Sequence, residues 1–430
     1  MGGVGSRGAP RGSAGRGPGR QPTAGLRTAL LAIGLLAGTG LLGWTLLFRT
    51  AAGGARGETA TAGSVLRAVG EERPDAGADL AERCRPSPGR PSLLAVGDTG
   101  VPPEGPEWGV QLLVGAGLAA VDHLAPVDGL VLLGDNFYPH GLRAEELARR
   151  ARANLLEPYG FLGAGNAARS GWAGTPPGRR GGRPPSLGGG GSPRPIHAVF
   201  GNHDWKSPES PELQRTALPE LVPGWQPPPE TAETREVGPG LSLVLFDSRW
   251  LADTGATAEL ARALRAARGP FVVLASHVPS SLDRRPEGVR PWDLRYTAFV
   301  EEAVRRSGRP VHLRLAGHEH NLQAIELVSV GGGLEVIAGS GARPQPVRQI
   351  HLGRLFASSR PGFARVAVRP GAAGREDHLV VELYEVREGG RGGRVALAAR
   401  FEVDREGLLR VSAFLPCPSM EAGPAGSGGG

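Results

Sequence analysis

Lysine is all but missing from this chain of 430 residues: Lys206 is the only one, and every other long cationic side chain is an arginine. The net charge of +7 and the pI near 10.3 would ordinarily direct attention to nucleic acid. No interleaving of arginine with aromatics accompanies that charge, and no nucleic-acid motif does. Part of it sits in the first thirty positions, where Arg7, Arg11, Arg16, Arg20 and Arg27 meet no acid. No nucleic-acid partner is expected. Together with abundant Gly, Pro and Ala, the arginine bias looks like that of a GC-rich genome.

Cysteine is nearly absent too. Cys84 and Cys417 bracket the region that reads as folded, and in an oxidising compartment such a pair could clasp its ends. In the chain-entropy treatment, closing so long a loop contributes on the order of 5 kcal/mol as an upper figure. The alternative is two unrelated thiols. Charge is absent from residues 28–48, TALLAIGLLAGTGLLGWTLLF, a run long enough to cross a bilayer. The basic flank before it places the N-terminus in the cytoplasm. A retained single-pass anchor is expected, with the catalytic domain periplasmic or extracellular. A cleaved signal segment is the alternative, since small residues follow at Ala51, Ala52 and Gly53, and the protein would then be secreted. No cysteine follows the apolar run, which argues against a lipoprotein.

What is present divides the chain. Residues 1–27 are a disordered basic tail, 28–48 the apolar segment, 49–90 a polar stalk, 91–415 the folded domain and 416–430 a flexible tail. Within the domain, 163–193 is rich in Gly, Pro, Ser and Arg and is expected to be a disordered surface insertion. Short apolar runs at 93–96, 130–133, 196–200, 241–246, 271–275 and 311–316 alternate with helix-compatible stretches at 144–156, 257–267 and 296–306. Near-continuous apolar strands separated by helices predict an α/β fold with buried sheets. After Leu334 the pattern turns strand-rich, which predicts a second sheet.

Five apolar runs end in polar clusters: LLAVGD at Asp98, VLLGD at Asp135, IHAVFGNHD at Asp204, VVLASH at His277 and LRLAGHEH at His320. Ligands bind outside the carboxyl ends of strands in such sheets, so the clusters should converge. A single Asp after Gly is more often a turn; five coincident strand ends are not. His318 and His320 are two apart and point the same way in an extended segment, with Glu319 opposite. Oxygen donors mixed with imidazole suit iron, manganese or zinc. The number of donors exceeds one tetrahedral site and suits two cations sharing a carboxylate.

The order GD…GDN…GNHD…H…GHEH resembles the calcineurin-like metallophosphoesterase superfamily, over roughly residues 92–323. Two details look like its purple acid phosphatase branch, closest to the tartrate-resistant type. Gly97-Asp98-Thr99-Gly100 has Gly where the wider superfamily carries a His, and Gly134-Asp135-Asn136-Phe137-Tyr138 supplies a Tyr three positions after the Asp. The resemblance implies a four-layer α-β-β-α sandwich of two mixed sheets flanked by helices. It further implies that Asp98, Tyr138 and His320 bind Fe(III). Asn202, His277 and His318 would bind a divalent ion, Fe(II), Zn(II) or Mn(II), and Asp135 would bridge the two.

The implied reaction is hydrolysis of a phosphate monoester by metal-bound hydroxide. His203 is the candidate general acid or phosphate contact, Glu319 orients its neighbours, and His140 rims the pocket or is a plain loop residue. His123, His197, His312, His351 and His378 receive no role. A phosphodiesterase or nucleotide hydrolase is the alternative, followed by a membrane-tethered, non-catalytic binding protein and by a redox role for a two-iron centre.

Overall fold

The computed structural model describes residues 84–163, 192–281, 291–327, 332–348, 351–371, 376–389, 393–411 and 417–421. Their strands, in chain order, are β1 (Ser92–Val96), β2 (Gly129–Leu132), β3 (Ile196–Ala198), β4 (Trp225–Gln226), β5 (Ala232–Gly238), β6 (Leu241–Phe246), β7 (Phe271–Ala275) and β8 (Leu313–Ala316). They continue as β9 (Leu322–Glu326), β10 (Leu334–Ala338), β11 (Arg354–Ser358), β12 (Gly362–Arg369), β13 (His378–Arg387), β14 (Arg394–Val403), β15 (Leu409–Val411) and β16 (Met420–Glu421).

Among the described residues these strands form two mixed sheets. One runs β15-β14-β13-β12-β1-β2-β3-β4, with β16 beside β14; the other runs β11-β9-β10-β8-β7-β6-β5. β1 to β4 are mutually parallel, as are β6, β7, β8 and β10.

The period of two along each strand builds the layers. Leu93 and Ala95 of β1 join Leu243, Leu245, Val273 and Leu315 in a core between the sheets. Leu94 and Val96 point the other way and pack with Val114, Leu118 and Val121 of helix α1 (Trp108–Leu124). On the far side, Val244, Phe246 and Leu274 meet Leu260 and Leu264 of α2 (Thr257–Ala266) and Val300 and Val304 of α3 (Pro291–Ser307). The result is helix, sheet, sheet, helix, the α/β arrangement expected. Burying each of these large side chains contributes about 1.5–3 kcal/mol relative to leaving it exposed.

Three local differences from the sequence reading have physical reasons. The C-terminal strands do not make the second sheet. β12 pairs antiparallel with β1, and β13 and β14 extend that first sheet outward, because β1 has an open edge that only a later strand can close. Of the strands from Leu334 onward, β10 and β11 go to the other sheet. Helix α1 has no clean apolar period, because it carries glycines where the backbone must approach closely. A Cβ at Gly115 would come 2.7 Å from the Pro158 carbonyl oxygen. Residues 85–90, read as the end of a stalk, are tied to the first sheet: Arg365 donates to the Ser87 carbonyl and Ser87 N–H donates to Glu382. Cys84 and Cys417 are joined in a disulfide.

The membrane expectation requires correction. No helix among the described residues is long and apolar enough to cross a membrane. α1 and α3 have 17 residues each, about 26 Å at the α-helical rise, short of the roughly 30 Å hydrocarbon core. Each lays its apolar side on a sheet instead. The single-pass anchor and the location outside the cytoplasm drawn from it are withdrawn. Residues 28–48 themselves, the tail at 1–27, positions 164–191 of the insertion and residues 422–430 lie outside the described residues.

His197, given no role by the sequence, is buried between the sheets, where Arg235 of β5 donates to its Nδ1 at 3.3 Å. Burial, reinforced by that guanidinium, pulls its pKa from 6.5 to about 3. Above pH 6.5 the ring is neutral whether the chain is folded or not, and stability is fully present. As pH falls below 6.5 the unfolded chain takes up a proton that the folded chain refuses, so the folded state loses up to about 1.4 kcal/mol per pH unit. Urea unfolding at pH 7.0, 5.5 and 4.5 should show a steeper acid decline in the wild type than in His197→Gln.

Candidate metal centre

The polar clusters meet because both sheets point the carboxyl ends of their parallel strands the same way. Asp98 follows β1, Asp135 follows β2 and Asn202 follows β3. His277 follows β7, and His318 and His320 follow β8.

The chain makes sharp turns there. Asp98, Asp135 and His318 have φ of 59°, 54° and 66°, in the left-handed region that disfavours residues with a Cβ. Among the described residues no other non-glycine does so. Such strain costs on the order of 1–3 kcal/mol per residue and collects at functional sites. The glycines of the motifs make room: a Cβ on Gly201 would fall 2.2 Å from both the amide nitrogen and Oδ1 of Asp135.

Two groups of three side chains result. In the first, the Tyr138 hydroxyl donates to Asp98 Oδ1 at 2.8 Å and lies 3.0 Å from His320 Nε2, which is 3.3 Å from the same Asp98 oxygen. In the second, Asn202 Oδ1 is 3.1 Å from both His277 Nε2 and His318 Nδ1, and those nitrogens are 3.2 Å apart. Asp135 stands between them, with Oδ1 3.6 Å from His277 Nε2. Donor atoms of Asp98, Asp135 and His320 all lie within 4.8 Å of one another.

Hydrogen bonds behind these side chains fix which atoms face inward. His277 Nδ1 is 2.8 Å from the Leu133 carbonyl and His320 Nδ1 is 3.1 Å from that of Arg343. A carbonyl only accepts, so both Nδ1 atoms carry a proton, and a cation that displaces any second proton would find both Nε2 lone pairs facing the centre. Asp98 Oδ2 accepts from the His318 amide, and Asp135 Oδ1 from the His203 amide, each at 2.8 Å.

The electrostatics favour a cation. Burial works to raise the pKa of Asp98, but the hydrogen bond to His320 and the neighbouring imidazoles outweigh it and hold the carboxyl below its usual range. Two carboxylates are thus enclosed, Asp98 fully and Asp135 98% of the way. Burial, with the proximity of His277, pulls the His318 pKa down to about 4, so its ring is neutral and able to coordinate. Burial first, then Asp98 and Asp135, push the Tyr138 phenol well above its ordinary value. Only a strongly acidic ion would take its proton. Oxygen and imidazole donors in this proportion fit a pair of hard-to-borderline cations.

His203 lies at the rim, half-buried. Its Nδ1 is 2.7 Å from the Pro139 carbonyl, so that nitrogen donates and Nε2 carries the lone pair. The ring packs on Tyr138, with centroids 4.4 Å apart. Burial, against the opposing pull of Asp135, lowers its pKa. Lys206 Nζ is 3.2 Å from Nε2. His140 is exposed nearby in sequence, on the Tyr138 loop.

Of the residues that hold the loops, the sequence pointed to Asp204 and Glu319 but not to Arg150 or Asn154. Asp204, the last residue of GNHD, accepts from the amides of Gly201, Asn136 and Phe137 and from Gln214, welding the β2 and β3 loops together. Burial and the nearby Asp135 raise its pKa to about 7. Arg150 is buried and donates to the carbonyls of Gly100 and Tyr138, and Asn154 donates to that of Val101. Glu319 reaches His351, whose Nδ1 is 3.1 Å from Ser281 Oγ. No sequence signal sets Arg150 and Asn154 apart from their polar neighbours Glu145, Glu146, Arg149 and Arg152.

No protein-family model matches the chain, and no curated protein does. Solved structures that are similar include one described as "GAP50 the anchor in the inner membrane complex of Plasmodium", at 14% identity over 69% of this chain and 84% of that one, with a TM-score of 0.49. PhoD is similar at 14% identity over 77% and 74%, with a TM-score of 0.48. Purple acid phosphatase PPD1 from yellow lupin (Lupinus luteus) seeds is similar at 14% identity over 70% and 53%, with a TM-score of 0.40. Identities and TM-scores this low assign neither a branch nor an activity to the chain.

Proposed function

We propose that the chain is a metal-dependent phosphoesterase, hydrolysing phosphate monoesters at a centre of two unlike cations. The observation that carries this reading is the pair of donor groups, Asp98–Tyr138–His320 and Asn202–His277–His318, meeting at Asp135. The first group, with its phenol, would hold Fe(III), and the second a divalent ion. Bound there, the cations would supply Lewis acidity toward phosphoryl oxygens and make water a better nucleophile.

The chain's own part is positional and protonic. The carbonyls of Leu133 and Arg343 keep the imidazoles in the coordinating tautomer. Enclosure of Asp98 and Asp135 excludes bulk water from the donor atoms and strengthens their attraction for a cation. His203, against Tyr138, is the candidate to contact a phosphoryl oxygen or, once protonated at Nε2, to pass that proton to the departing alcohol.

Metal analysis and a visible spectrum of the purified protein test the assignment together. Iron with a Tyr-to-metal charge-transfer band that vanishes in Tyr138→Phe is the expected result. Two zinc ions, no colour and full activity after that substitution would overturn it. Parallel assays on an aryl phosphate and a bis-aryl phosphate read the ester preference, with the monoester expected to be the faster.

A further inference from the structure

Beside the centre lies an arginine that the centre does not employ. A cavity of about 360 Å³, widely open to solvent, is lined by Pro106, Glu107, Val110, Ala342, Arg343, Pro344 and Gln345. None of the donor side chains lines it, but Arg343 and Gln345 touch two of them, Tyr138 and His320. The Arg343 guanidinium lies 5.6 Å from the centroid of the Tyr138 ring. The Arg343 carbonyl accepts from His320 Nδ1, and the Gln345 amide donates to the His320 carbonyl at 2.6 Å. An ester whose phosphoryl group sits among Asp98, Asp135 and His320 would have Arg343 one side chain away, across Tyr138 and His320.

The charge in the cavity is under-used. Arg343 Nε is 3.6 Å from Glu107 Oε1, too long for a direct hydrogen bond, and both side chains are about two-fifths exposed (41% and 38%). Among the described residues the guanidinium makes no hydrogen bond, although it carries a planar fork of donors suited to a carboxylate or phosphate. The remaining walls, Pro106, Val110 and Ala342, are apolar and suit a ring or short carbon chain.

We propose that the cavity receives the alcohol portion of the substrate and that Arg343 selects alcohols bearing an anionic group, a carboxylate or a second phosphate. This rests on the phosphoesterase reading above. Glu107 sits where it would neutralise Arg343 in the absence of substrate and oppose a second anion.

The test uses the metal-replete full chain with two esters, phenyl phosphate and 4-carboxyphenyl phosphate. Calorimetric binding of the non-hydrolysable benzylphosphonate and 4-carboxybenzylphosphonate runs alongside. The wild type should prefer the carboxylated member of each pair. Arg343→Gln, which keeps the backbone carbonyl bonded to His320, should lose about 10- to 100-fold more in kcat/KM and in affinity toward the carboxylated compounds than toward the plain ones, the worth of a charged hydrogen bond. Glu107→Gln should shift the preference the other way.

Equal losses on both members of each pair would overturn the proposal, because Arg343 would then contact the phosphoryl group common to them. So would a wild type with no preference. If neither ester is hydrolysed but the carboxylated phosphonate still binds more tightly in an Arg343-dependent way, the phosphoesterase reading fails and the anion-selective cavity stands.

Discussion

Asp135→Asn is expected to deplete both cations at once and to lower kcat/KM by about 10³-fold or more, since two ions stabilise the transition state by several kcal/mol. Asp135 is the side chain common to the two donor groups, with Oδ1 3.6 Å from His277 Nε2 and its donor atoms within 4.8 Å of those of Asp98 and His320. Asparagine keeps the shape and can still accept from the His203 amide. It also tolerates the left-handed backbone at this position, where φ is 54°, better than most residues. The substitution therefore removes charge while leaving the fold in place. Elemental analysis against the wild type reads the outcome, with circular dichroism as the control for folding. Full retention of both metals would be incompatible with a shared carboxylate.

The largest expected effect on stability lies away from the centre. Glu382 on β13 is fully buried and accepts from Arg365 Nη1 at 3.0 Å, Arg400 Nε at 2.9 Å, the Tyr384 hydroxyl at 2.9 Å and the Ser87 amide at 2.7 Å. Arg365 is itself 1% exposed. Glu382→Ala leaves that guanidinium buried without its counter-charge, at a cost of about 3–5 kcal/mol. For a domain of this size that lowers Tm by roughly 5–8 °C, as read by calorimetry. It should also loosen residues 85–90, whose Ser87 amide and Arg85 carbonyl join this network, so faster proteolysis there is a second readout. The double variant Arg365→Met, Glu382→Leu should recover much of the loss, because no unpaired charge remains. A single variant as stable as wild type would mean that water reaches the guanidinium.

The sequence by itself determined the layers and the inventory of the centre. The alternation of Leu93, Leu94, Ala95 and Val96 distributes side chains to both faces of β1, and such runs leave a sheet no choice but to be covered on both sides. The polar residues ending five of those runs could be named because strand ends are where a buried sheet meets a ligand. Asp98, Asp135, Asn202, His277, His318 and His320 are brought together accordingly, and Tyr138, singled out by the resemblance, joins them.

What the sequence could not express is anything that depends on which strands become neighbours. The C-terminal strands β12 to β14 read as a sheet of their own, yet hydrogen bonding to the open edge of β1 recruits them into the first sheet. The apolar run at 28–48 invited a membrane reading that the described residues do not support. Arg150 and Glu382 look in sequence like ordinary surface charges. Only tertiary packing buries them and turns each into a clamp on distant backbone, because a buried charge must find its partners wherever the fold places them. The donors were legible as a list. The resemblance implied their division into two groups of three around Asp135; the meeting of two sheets at their carboxyl ends brings those groups together and sets Arg343 alongside.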